Sequence, residues 1–171
     1  LNCSVQDSFV VQSPDTLSIS FANYTDFLSC YGELTTVDVV INGGVGPFIV
    51  SWNDGNTDLQ RILGAGSYSC EVTDANGCSD TSILTITEPD SLEITLTFNY
   101  FPCDASGSNA SISVSGGVEP ISIVWSTGET TSSIDSLWGT TYWVIVTDSC
   151  GNTDSTGLEL SSNLVTILDY D

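Results

Sequence analysis

The chain has 171 residues, and its 22 acidic side chains face a single cation, Arg61, with no lysine and no histidine, for a net charge of −21. That balance excludes a nucleic-acid-binding face and attraction to anionic membrane surfaces. It also removes Ser-His-Asp, Cys-His and Schiff-base catalysis, leaving paired carboxylates as the only catalytic class that the composition permits. Most of the acids, however, fall in turns, where aspartate has a structural job. No apolar run approaches the roughly 18 residues a membrane helix needs. A hydrophobic content of 40% nevertheless argues for a folded chain rather than an acidic disordered tail.

Residues 1–15, LNCSVQDSFVVQSPD, follow the pattern of Asn76–Asp90, with Cys3 answering Cys78 and Pro14 answering Pro89. They read as the closing strand of a preceding repeat. Leu17–Phe21 alternates apolar and polar residues, as a half-buried strand does. A long connection, Ala22–Leu34, carries Tyr24, Phe27 and Cys30. Val37–Ile41 is a β-branched run ended by Gly43-Gly44, Phe48–Trp52 is the next strand, and Asn53–Asn56 is an Asp-Gly turn. Ser67–Thr73 places Tyr68, Cys70 and Val72 on one face, and Ser82–Thr87 turns Leu84 and Ile86 inward. No segment shows a helical period with caps.

The stretch Gly43–Cys78 is then stated again as Gly116–Asn152. Gly43-Gly44, Pro47, Trp52 and Gly55 recur 73 residues later, and Tyr68, Val72 and Thr73-Asp74 recur 74 later. This is an internal duplication, giving units at 16–90 and 91–162. Residues 163–171 read as the first strand of a further repeat or as a C-terminal strand docked on the second. Short strands broken by Gly, Asn and Asp predict an all-β fold of tandem immunoglobulin-like β-sandwiches. Units this small bury only about 60% of their unfolded surface, so each calls for a staple.

Six cysteines point to an oxidising compartment and allow 15 full pairings. Matching positions in the two units pair Cys30 with Cys78 and Cys103 with Cys150. Each bond is expected to contribute about 4 kcal/mol. Cys3 is expected to bond a cysteine outside this chain. Cys70 stands where the second unit has Val144, and so reads as a buried thiol.

The repeated unit resembles the SprB repeat of bacterial surface adhesins, with its GG-x-x-P opening, W-x-x-G turn, G-x-Y strand and VTD-x-NGC close. The resemblance covers nearly the whole chain and is looser in the second unit, where TDSCGN replaces TDANGC. It implies a bacterial cell-surface protein exported by type IX secretion, with a part in adhesion or in a gliding-motility filament. It also implies O-glycosylation at Asp-(Ser/Thr)-apolar sequences, here Thr16, Ser91, Ser136 and Ser155. The partners implied are neighbouring repeats and surface polysaccharide, with no nucleic acid and no membrane insertion.

Two further groups carry chemistry by residue type. Asp54, Asn56 and Asp58 cluster in one turn, and Asp74 and Asn76 in another, supplying the oxygen ligands that calcium takes; neither cluster has EF-hand spacing, and no other cofactor is indicated. Trp143 must face outward if Tyr142, Val144 and Val146 face the core, and Trp138 adds a second large ring nearby. Such a pair can stack sugar rings. A carbohydrate-binding module of a secreted enzyme, using Trp138 and Trp143, is therefore the alternative reading.

Overall fold

A computed structural model of the chain describes residues 13–99, 107–161 and 164–169. Among them the regular structure is entirely β, thirteen strands with no helix. The chain divides into two compact units. Unit 1 holds the described residues of Leu1–Asp26 together with Leu34–Thr87; unit 2 holds Phe27–Glu33 and the described residues of Glu88–Asp171. The segment Phe27–Glu33 thus lies in the first repeat by sequence and in the second unit by packing.

In unit 1, β1 (Ser18–Ala22), β2 (Thr35–Asn42) and β4 (Gln60–Leu63) form one antiparallel sheet in the order β1-β2-β4. β3 (Ile49–Trp52), β5 (Gly66–Thr73) and β6 (Ser79–Ile86) form a second, in the order β3-β5-β6. The period of two buries Ile19, Val37 and Leu63 from the first sheet, and Trp52, Cys70, Val72, Leu84 and Ile86 from the second. The two sheets meet through their rings. Phe21 of β1 stacks on Trp52 of β3 with centroids 5.5 Å apart, and the Arg61 guanidinium from β4 lies 5.0 Å over the same indole.

Unit 2 follows the same connectivity. β7 (Glu93–Asn99), β8 (Ser108–Ser115) and β10 (Ser133–Leu137) make one sheet, in the order β7-β8-β10. β9 (Ser122–Trp125), β11 (Thr141–Thr147), β12 (Thr153–Ser161) and β13 (Leu164–Asp169) make the other, in the order β9-β11-β12-β13. Ala110, Ile112 and Ile134 of the first sheet share one core with Trp125, Val144, Val146 and Leu158 of the second. β13 pairs antiparallel with β12, Leu158 opposite Ile167, so residues 164–169 extend the second sheet of unit 2. β4 and β10 lack a clear apolar alternation, so the sequence pattern does not mark them as strands. Residues 1–12, with Cys3 and the body of the expected closing strand, lie outside the described residues.

The same internal bonds recur. The indole N–H of Trp52 donates to the Asp58 carbonyl at 3.0 Å, and that of Trp125 to the Thr131 carbonyl at 2.8 Å. The backbone N–H of Ile19 donates to the Asp80 carboxylate at 2.9 Å, and that of Ile94 to Asp154 at 2.8 Å. The tyrosine hydroxyls of Tyr68 and Tyr142 donate to the carbonyls of Gly64 and Trp138, at 3.1 and 3.3 Å. Gly43 (φ 66°) and Gly116 (φ 65°) each sit where a methyl group would collide with a backbone carbonyl, that of Thr16 or of Ser91. Only glycine fits a left-handed conformation at such a close approach.

Candidate functional site

The turn after the long central strand of each unit is built around one carboxylate. Asp74 Oδ1 accepts the N–H groups of Asn76 and Cys78, both at 2.9 Å, and Oδ2 accepts that of Val45 at 3.1 Å. Asp148 Oδ1 accepts from Cys150 and Asn152, both at 2.9 Å, and Oδ2 from Val118 at 3.1 Å. Both residues are buried, at 6% and 5% exposure. The Cys78 N–H first, then those of Val45, Asn76 and Gly77, outweigh burial and hold the Asp74 carboxyl below its usual range. Burial pulls Asp148 upward, but the N–H groups of Val118, Asn152 and Cys150, together with the Asn152 side chain, outweigh it and leave it lowered too.

Cysteine placement corrects the expected pairing. Cys30 is bonded to Cys150, with Cα atoms 5.8 Å apart, and not to Cys78; nor does Cys103 take Cys150. The cause is the placement of Phe27–Glu33 in unit 2. Within that segment the Glu33 carboxylate accepts the N–H groups of Ser29 and Cys30 at 2.8 and 3.1 Å, closing a tight loop. The Gly32 N–H then donates to the Glu88 carboxylate at 2.7 Å. Tyr31 lines a cleft of about 440 Å³ with Glu88, Pro89, Asp90, Ser91 and Glu93. Tyr31 and Glu88 carry no motif; in sequence Tyr31 is marked only by standing next to Cys30, and Glu88 only by preceding Pro89. Cys78 is free and exposed, and Cys70 is free and buried as expected, with burial raising its thiol pKa. Cys3 and Cys103 lie outside the described residues.

The calcium candidates are engaged within their own turns. Arg61 reaches Asp54 with both terminal nitrogens, at 3.2 and 2.6 Å, and holds that carboxyl below its usual range. Asn56 and Asp58 bond each other, and the Asn56 N–H donates to Asp54. Asp74 is occupied by backbone, and Asn76 supplies one of those N–H groups. Among the described residues no three acidic or cysteine side chains group as a metal site does.

Both indoles reach solvent. Trp143 leaves the outer face of β11 beside Ile145, whose partner Val124 lies on β9; the three are 42%, 38% and 46% exposed. Tyr142 points the other way, into the core, and its hydroxyl accepts the backbone N–H of Trp138 at 3.2 Å. The Trp138 ring, 56% exposed, packs against Gly107, where a Cβ would meet it at 3.0 Å. Of the glycosylation candidates, Thr16 and Ser136 are exposed while Ser91 and Ser155 are half-buried. Searches against protein-family models and against curated protein sequences find no match to this chain.

Proposed function

We propose that the chain is a structural and adhesive segment of a large bacterial cell-surface adhesin, built of tandem immunoglobulin-like repeats of the SprB type. On this reading it is non-catalytic, extracellular and exported by type IX secretion, and it serves adhesion or a gliding-motility filament. Its partners are neighbouring repeats and surface polysaccharide. One observation carries the reading: the same buried bonds, from the tryptophan indole to a loop carbonyl and from the turn aspartate to three backbone N–H groups, recur in both units. A duplicated scaffold of this kind builds arrays. The disulfide and the lack of any helix long and apolar enough to cross a membrane are compatible with an extracellular setting.

The exposed Trp143, Ile145 and Val124 strip favours one other reading, a carbohydrate-binding module. A glycan array probed with the chain and with Trp143→Ala separates the two. The repeat-segment reading predicts no sugar whose binding depends on Trp143. Saturable binding to one glycan class, lost on the substitution, replaces it with the module.

A further inference from the structure

We propose that the groove beside the Asp74 turn of unit 1 is a docking site for a cysteine-bearing segment of the Phe27–Glu33 type, supplied by another repeat and closed by a disulfide to Cys78. The inference rests on the tandem-repeat reading and names a partner for it. Unit 2 shows what the occupied site looks like. There the segment is fixed by Cys30–Cys150 and by the Gly32 N–H on Glu88 at 2.7 Å, and its Tyr31 lines one cleft with Pro89, Asp90 and Ser91.

Unit 1 presents the same wall. Pro14, Asp15 and Thr16 take the places of Pro89, Asp90 and Ser91, and with Leu17, Gly44, Asn76 and Cys78 they line a groove of about 330 Å³. The turns correspond bond for bond. The N–H groups of Asn76 and Cys150 both donate to the first oxygen of their aspartate at 2.9 Å, as do those of Cys78 and Asn152. Asp-Ala-Asn-Gly-Cys in one unit and Asp-Ser-Cys-Gly-Asn in the other therefore exchange asparagine and cysteine across the same carboxylate. The exchange moves the sulfur two residues along one tight turn, and both positions line the groove. Cys78 is exposed and unpaired, whereas its counterpart turn is bonded. One difference remains. Ser13 stands where unit 2 has Glu88, so a hydroxyl replaces the carboxylate as acceptor for the segment's glycine N–H.

The occupant is thus an apolar pair followed by Ser-Cys-Tyr-Gly-Glu or a close analogue. The bond forms by exchange: the Cys78 thiolate attacks the segment's cysteine sulfur in a mixed disulfide with glutathione, and glutathione thiolate leaves. Oxidised glutathione, itself reduced to thiol, is the oxidant that makes the mixed disulfide.

The test uses the full chain and the peptide Phe-Leu-Ser-Cys-Tyr-Gly-Glu, presented as its glutathione mixed disulfide in a glutathione redox buffer, with adducts counted by mass spectrometry. The expected result is about tenfold more adduct at equilibrium than with a scrambled peptide of the same composition, the value of one good contact set. The adduct disappears in Cys78→Ser. In Thr16→Trp, which fills the groove from an exposed position, it falls to the scrambled level while glutathionylation of Cys78 is unchanged. Equal adduct from native and scrambled peptides, or full adduct in Thr16→Trp, overturns the docking site. Neither outcome touches the glycan result on which the repeat-segment reading stands.

Discussion

Among the described residues Trp125 is the largest fully buried side chain, 2% exposed, in the unit 2 core. Trp125→Ala deletes its ring from between the two sheets and orphans the Thr131 carbonyl that its N–H reaches at 2.8 Å. Buried Trp→Ala changes cost about 3–5 kcal/mol. Thr131 is exposed, so water takes over that carbonyl and the loss of the hydrogen bond itself contributes only about 1 kcal/mol. A unit this small holds net stability near the lower end of about 5–15 kcal/mol, so the variant should unfold at a small fraction of the wild-type urea concentration. Trp143→Ala is the matched control: same residue type, one strand over, 42% exposed on the outer face. With no enclosed void to leave, it should cost less than about 1 kcal/mol. Urea titrations followed by far-UV circular dichroism give both numbers by linear extrapolation. If Trp143→Ala destabilises as much as Trp125→Ala, the inside and outside faces of β11 have been assigned wrongly.

Three further outcomes follow from the same contacts. Cys150→Ser should lower the stability of unit 2 by up to about 5 kcal/mol, because the bond spans a sequence separation of 120; Cys78→Ser should change the stability of unit 1 by less than about 0.5 kcal/mol. Gly116→Ala should cost well over the roughly 1–2 kcal/mol of a left-handed alanine, since a methyl there meets the Ser91 carbonyl, whereas Gly151→Ala, with open space around it, should cost only that strain. Asp74 and Asp148 have folded pKa values below the unfolded value of about 3.9, so their contribution is full above that value and is lost as pH falls through the lowered folded pKa. Urea midpoints of the Asp74→Asn/Asp148→Asn double variant should therefore fall less between pH 5 and pH 2 than those of the wild type, and parallel pH profiles would count against the turn assignment.

Periodicity and turn chemistry made much of this architecture legible in advance. The inward set of Tyr142, Val144 and Val146, the outward Trp143, and the buried Cys70 all follow from alternation on strands whose ends are marked by Gly and Asp. The paired glycines at 43–44 and 116–117 marked the strand end and its repetition, while the close backbone approach that requires them is visible only in the fold. What alternation does not encode is which unit a connecting loop packs on. Phe27–Glu33 carries its own apolar pair and closes on Glu33, so nothing local ties it to the strands beside it, and pairing cysteines within each unit gave Cys30–Cys78 in place of Cys30–Cys150. The signal lay in the exchanged order of Asn and Cys in the two Asp turns, which sets Cys150 two residues from the position of Cys78. The partners of the turn acids show the same limit. Residue type shows that Asp54 can pair with a cation, while only the fold shows that Arg61 is the cation it pairs with here.

The claim on which the rest depends is that Phe27–Glu33, which lies between strands of unit 1 in sequence, is stapled to the Asp148 turn of unit 2. Disulfide mapping by mass spectrometry reads it directly: alkylate free thiols on the native chain, digest without reduction at acidic residues, and identify the cross-linked peptides. The account predicts a Cys30 peptide joined to a Cys150 peptide, with Cys78 recovered alkylated. A Cys30–Cys78 cross-link would contradict it.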